Sequence, residues 1–444
     1  MTITPTNQTH PNSWFRRGLS PHGPDSSAIA VRPRPLHMRV ITAARPGLGE
    51  RRGVNLALAT WVSVINFWAW NLIGPLAPKY AGQISLTVTE QSVLVATPIL
   101  VGSLGRLASG PLTDRFGGRV MFIAVSVSAI GPVLGVGFVG AAKSYPLLVA
   151  AAAFLGVAGS VFAVGIPFVN DWYEPARRGF AMGVFGMGMI GTAASAFFTP
   201  RFVGWFGLLT THIIVAVALA ATAAVCFVVM RNGPDFQPNT APVMPALKAA
   251  ARLRISWEMS LLYAVVFGGF VAFSNYLPVY LNKIYGFSLV DAGARAAGFA
   301  LAAVLARPVG GALADHVAPK YVVLASLSGV AVLAFIAVFK PPPDVWSGST
   351  FITLAIALGI GTGGVCAWVA HLAPAHSIGA VTGIFTATGG LGGYFPPLVM
   401  GATYDPVHNN YTIGLLLLVA TAVVELIYTA VCLKATKTAP ELSA

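Results

Sequence analysis

The sequence predicts an all-α integral membrane protein of twelve transmembrane helices, arranged as two six-helix halves. Three observations carry that expectation. Charged residues make up only 9% of the 444-residue chain and hydrophobic ones 56%, whereas soluble domains carry about a quarter charged residues. Apolar runs long enough to cross a bilayer, about 20 residues each, recur along the chain. The pattern of the first half returns in the second.

Taken in order, residues 1–52 are rich in Pro, Ser and Arg and contain no apolar run. They read as a disordered tail rather than a signal peptide or a folded domain. Met38 lies ahead of the first span, so a start there would leave every span intact. Spans then fall at about 54–76, 90–112, 120–140, 147–169, 180–200 and 208–230, separated by polar, Gly- and Pro-marked loops. A polar connector, 231–257, leads to six more at about 259–281, 294–313, 322–340, 350–370, 380–401 and 412–434. The halves are thus 53–230 and 258–434, followed by a short tail, 435–444.

The net charge of +13 raises the question of nucleic acid, but its distribution answers it. Apart from the two arginines inside spans, Arg106 and Arg307, only Lys79, Lys143, Arg201, Lys283, Arg295 and Lys340 fall on one side of these spans. All the other basic residues share the side of the N-terminal tail. That is the positive-inside asymmetry, which puts both termini and the basic loops in the cytoplasm and excludes a nucleic-acid role. Cys226, Cys366 and Cys432 lie in apolar segments without metal-ligand spacing and read as small core residues.

The internal repeat is specific. Arg106, Gly110, Leu112 and Asp114 recur as Arg307, Gly311, Leu313 and Asp315, about 200 residues on. Gly183-Val184-Phe185 in the fifth span is echoed by Gly383-Ile384-Phe385 in the eleventh at nearly the same offset. Two sets of six spans around a charged connector is the pattern of a transporter built from parallel repeats.

"GPLTDRFGGR", Gly110 to Arg119, resembles the signature loop between the second and third helices of the major facilitator superfamily. The second copy, "GALADHVAPK", is degenerate. The resemblance implies a conformational latch made of Gly110, Asp114, Arg115, Gly118, Arg119 and Asp315, with Asp114 and Arg115 pairing with neighbouring helices.

Asp114 and Asp315 mark the cytoplasmic ends of the second and eighth spans. Each arginine lies eight residues earlier, about 12 Å along a helix, near the middle of a roughly 30 Å core. In the fold that the resemblance implies, the two spans belong to opposite halves, so Arg106 and Arg307 face each other across a central cavity. An unpaired guanidinium at this depth is costly, and the sequence offers no midplane carboxylate to pair with it. A planar, permanently charged fork suits a flat oxyanion.

Glycines crowd the two pseudo-equivalent spans, in "GFAMGVFGMGMIGTAAS" and "GIFTATGGLGGYFPP". They allow helices to approach closely and narrow the cavity toward a small substrate. With "SVINFWAWNLIGPL", "FAVGIPF" and "GGLGGYFPPLVMGATYDP", these segments resemble the nitrate/nitrite porter branch over residues 54–434, closest to its mycobacterial-type members. The resemblance implies substrate binding by Arg106 and Arg307. Tyr263 and Phe267 of the seventh span and Phe162 of the fourth would line the pocket, with Gly186, Gly188, Gly191, Gly389 and Gly390 around it. Aromatic faces beside guanidinium forks suit a planar anion. One departure stands out: Met189 occupies the place where the branch carries an Asn in its span-five signature, leaving Asn275 or Thr192 as substitute amide or hydroxyl.

The expected function is nitrate and nitrite transport by alternating access, in a single chain embedded in the lipid bilayer of the cell membrane. Facing guanidinium groups repel when the cavity is empty, which favours nitrate/nitrite exchange. Proton-coupled nitrate symport and carriage of another small anion, such as formate or oxalate, are the alternatives. No nucleophile–base pair, metal cluster, cofactor motif or signalling domain supports an enzyme or a sensor. His371 and His376 read as solvated loop residues. Glu425 reads as structural, in a span outside the cavity.

Overall fold

The computed structural model describes residues 48–234, 236–238, 243–343, 345–372 and 378–434. The expectations for most of the N-terminal tail, for the C-terminal tail and for His376 lie outside these residues. Among the described residues, eleven helices are long and apolar enough to cross a membrane. They are Arg51–Ile84, Val88–Phe116, Gly118–Ala142, Tyr145–Trp172, Ala181–Phe206, Leu208–Val229, Arg254–Tyr285, Leu289–Ala314, Pro319–Val338, Val345–Val369 and Thr412–Cys432. The eleventh span in chain order, just before Thr412–Cys432, is built from two pieces, Ile378–Gly392 and Phe395–Ala402. Its break at Gly393-Tyr394 follows a run of glycines and precedes Pro396 and Pro397, which cannot extend a helix with donated N–H groups. The helices overrun the predicted apolar cores by several residues at most ends, and the connector contains a short helix, Val243–Ala251, absent from the sequence reading.

Local chemistry sets the ends. Thr87 and Glu90 form a capping box at the start of the second span, with the Glu90 N–H donating to Thr87 Oγ1 at 3.2 Å and the Thr87 N–H to Glu90 Oε2 at 2.8 Å. The turn into the third span needs Gly117, at φ +84°, where a β-carbon would collide with the side chain of Asn232. Ser288 caps the eighth span by accepting from the Asp291 N–H at 3.1 Å.

Three further spans are irregular at the level of the centre, and each irregularity makes a contact. The first span divides into Leu48–Trp70 and Ile73–Ile84. At the break, Asn71 Nδ2 donates to the Thr192 carbonyl of the fifth span at 3.0 Å, and Gly74 lies against the Asn275 backbone of the seventh. The fourth span tightens to a 3₁₀ turn at Gly156–Ser160, and the fifth at Met187–Met189. Such turns inside a helix commonly mark functional positions.

The halves meet mainly toward the face opposite the described chain ends. There Thr89 Oγ1 donates to the Gly401 carbonyl at 3.2 Å, the Ser92 and Tyr276 hydroxyls lie 2.9 Å apart, and Gly293 packs on the Ala196 carbonyl. Nearer the chain ends than the two contacts of Arg106 and Arg307, no hydrogen bond or ion pair between described residues joins the halves. The bundle is therefore closed on the face opposite the chain ends.

Candidate functional site

Arg106 and Arg307 come together at the seam, as their positions in the repeat require. Arg106 is 3% exposed. Its Nε donates to the Gly159 carbonyl at 3.4 Å, in the 3₁₀ turn of the fourth span, and its Nη1 to the Thr386 carbonyl of the eleventh span at 3.2 Å. Arg106 thus bridges the halves. Arg307 is held differently. Its Nη1 donates to the thioether sulfur of Met189 at 2.8 Å, while Nε and Nη2 are buried without a hydrogen-bond partner. Nε and Nη2 form one edge of the guanidinium, the edge able to bind two oxygens of one anion side-on.

The seventh span supplies the aromatic wall between them. Each guanidinium carbon lies 5.4 Å from the Phe267 ring centroid, so the two cannot be further apart than twice that distance. Their like charges act on each other, and neither forms an ion pair with a described carboxylate. Tyr263 stacks on Phe267 at 4.6 Å and 7°, and Phe162 lies 5.7 Å from Arg106. The five side chains named by the resemblance therefore form one cluster.

The glycines divide. A β-carbon on Gly389 would strike the Tyr263 ring, and one on Gly390 would strike Ser103 Oγ and lie 3.0 Å from Arg106 Nη1. These two are part of the cluster. Gly188 and Gly191 instead abut Ser63 and the Val64 carbonyl of the first span, and Gly186 has open space. Gly188 and Gly191 thus serve the joint between the first and fifth spans rather than the cluster, and Gly186 serves neither.

Sequence reasoning missed Phe270, Phe385, Thr386 and Cys366. Phe270 is nearer to Arg307 than Phe267 is, at 4.4 Å. Its signal was present, since Tyr263, Phe267 and Phe270 follow helical spacing on one face. Phe385 meets Tyr263 edge-on at 4.4 Å. Cys366 lies within electrostatic reach of Tyr263 and Arg307 and is exposed. Its exposure, and that of Cys432, correct the reading of these two cysteines as core residues, while Cys226 is buried as expected. Asn275 and Thr192 do not substitute for the missing amide. Asn275 Nδ2 donates to the Val271 carbonyl and Thr192 Oγ1 to the Met189 carbonyl, each on its own helix.

At the signature loop, a β-carbon on Gly118 would collide with Phe168, while Gly110 has open space. The Arg119 N–H donates to Asn232 Oδ1 at 2.9 Å, and its guanidinium donates to the Phe227 carbonyl. Arg115 covers Phe116 at 5.6 Å. Asp114 is exposed and makes no ion pair among the described residues, so the expected Asp114–Arg115 pairings are not formed in this conformation. The side chains of Asp315 and His371 lie outside the description.

A two-fold helical bundle with one arginine from each half at the seam, and one face closed, defines a membrane carrier rather than an enzyme. The chain matches the Major Facilitator Superfamily over residues 59–397. It is 70% identical over 379 residues to a protein of Mycobacterium tuberculosis named "Probable nitrate/nitrite transporter NarK2", covering 85% of this chain and 96% of that one. It is 33% identical over 372 residues to the "Nitrite extrusion protein" of Bacillus subtilis, covering 83% and 91%. Among solved structures, a D-xylose-proton symporter superposes with a TM-score of 0.69 at 14% identity, covering 86% and 98%. A bacterial homologue of the human lysosomal transporter Spinster, in an inward-facing and occupied conformation, gives 0.65 at 19%, covering 87% and 96%. The chain belongs to the nitrate/nitrite porter branch of the Major Facilitator Superfamily and is a multi-pass membrane protein.

Proposed function

We propose that this chain carries nitrate and nitrite across the cell membrane by alternating access, binding one anion between Arg106 and Arg307. The observation that carries this reading is the open edge of Arg307: two buried guanidinium nitrogens without a partner, beside a second arginine, where the halves meet. A planar oxyanion satisfies both nitrogens, offsets two like charges and fits against Phe267 and Phe270. The mycobacterial and Bacillus relatives, named for nitrate and nitrite, support the same substrate class. Each half, 53–230 and 258–434, supplies one arginine, so a single chain contains a complete site.

Both termini are cytoplasmic in this reading, because the basic loops share their side. The closed face is then the outer one, and the conformation is inward-facing. The latch residues Asp114 and Arg115 are free to pair when the inner face closes instead.

Exchange follows from the charges. At the widest separation the Phe267 contacts allow, two unit charges repel by about 1.5 kcal/mol at an effective dielectric near 20, and more when closer. Closing both faces around an empty site retains that repulsion; a bound anion offsets it and lets the halves rock. The test is uptake of labelled nitrate into proteoliposomes containing the purified chain. Nitrite should compete, and formate and oxalate should not. Uptake insensitive to nitrite, or blocked equally by formate, would assign another substrate.

A further inference from the structure

We infer that Met189 is the positioning residue of Arg307, setting which edge of the guanidinium faces the anion and thereby the preference for two-oxygen anions over halide. This rests on the reading above that an anion binds Arg307. Met189 lies in the short 3₁₀ turn of the fifth span, on the half opposite Arg307, and is fully buried. Its sulfur accepts from Nη1 alone, at 2.8 Å. That contact pins the outer nitrogen and leaves the Nε–Nη2 edge, both atoms buried and unpartnered, as the open one. Phe270 and Phe267, at 4.4 and 5.4 Å from the guanidinium carbon, restrain the group from its sides.

The choice of atom gives the device its logic. A carboxylate at position 189 would neutralise Arg307 and compete with substrate for it. A thioether is a weak, uncharged acceptor. It fixes direction while leaving the positive charge available. Without it, the guanidinium can turn about its stem and present one nitrogen at a time. An anion with two oxygens on one atom loses a hydrogen bond by that turn, whereas a spherical halide loses almost nothing.

The test uses the full chain purified in detergent, with sodium nitrate and sodium chloride as probes and binding measured by calorimetry. Met189→Leu and Met189→Ile remove the sulfur with little change in volume. Both should weaken nitrate binding by about two- to tenfold, the range of one lost hydrogen bond, and lower the nitrate-to-chloride preference. Met189→Gln, which returns an acceptor of similar reach, should restore both. Unchanged preference in the Leu and Ile variants overturns the inference, and so does a Gln variant as impaired as Leu, which would assign the effect to packing. Absence of nitrate binding by the unaltered chain would instead remove the anion site itself.

Discussion

Arg307 reaches across the seam between the halves and donates its Nη1 proton to the sulfur of Met189 at 2.8 Å. Arg106 reaches the other way, to the Thr386 carbonyl at 3.2 Å. Each arginine is thus tied to the half it does not belong to, and Arg307 keeps its buried Nε–Nη2 edge without a hydrogen-bond partner among the described residues.

That asymmetry separates the two conservative substitutions. Arg307→Lys keeps a charge but loses the fork, so nitrate transport should fall by at least about tenfold with the chief effect on nitrate affinity. Arg106→Lys also loses the tie to Gly159 and Thr386, so its maximal rate should fall as well. Initial rates in proteoliposomes at matched protein abundance distinguish the two. Near-normal flux in either variant would rule out a two-arginine site.

The glycines give a contrast within one residue type. Gly390→Ala places a β-carbon 3.0 Å from Arg106 Nη1 and should abolish most transport while the protein still inserts. Gly186→Ala meets open space and should retain it. Equal loss in both would mean that the glycines act through general helix packing alone.

The hydroxyl pair of Ser92 and Tyr276, 2.9 Å apart, joins the halves on the closed face. Tyr276→Phe removes that bond, worth about 1 kcal/mol, and should shift the balance toward the alternative conformation by about fivefold. The rate at which a membrane-impermeant thiol reagent labels a cysteine placed at Val95, buried about one helical turn from Ser92, reads this shift. An unchanged labelling rate would show that the pair contributes nothing to closure.

Much of this was legible in the residues. Arg106 and Arg307 were visible because a guanidinium inside an apolar run is costly, and the repeat put them at equivalent depth. Tyr263, Phe267 and Phe162 came from the family resemblance, and Phe270 was readable from helical spacing but not read. Other parts were hidden for physical reasons. Nothing local in "GMGMIG" says that Met189 points across the seam, since that depends on a 3₁₀ turn and on the opposite half. The glycine-rich spans look alike in sequence, yet Gly188 and Gly191 pack on the first span of their own half while Gly389 and Gly390 pack against the site. Cys366 and Cys432 read as core because the sequence of an apolar helix does not say which of its faces is packed and which is exposed.

The tail offers a further check. Residues 1–37 carry no apolar face in their sequence, so translation from Met38 should leave nitrate flux intact at equal membrane abundance. Loss of flux would give that segment a role in transport.

The most direct measurement of the exchange mechanism loads proteoliposomes with nitrite, nitrate or neither and follows external nitrate without a pH gradient. Exchange between two repelling arginines predicts uptake only when an internal anion is present, and its loss in Arg307→Lys. Robust uptake into anion-free vesicles, driven by an inward proton gradient, would contradict exchange and make the carrier a proton symporter.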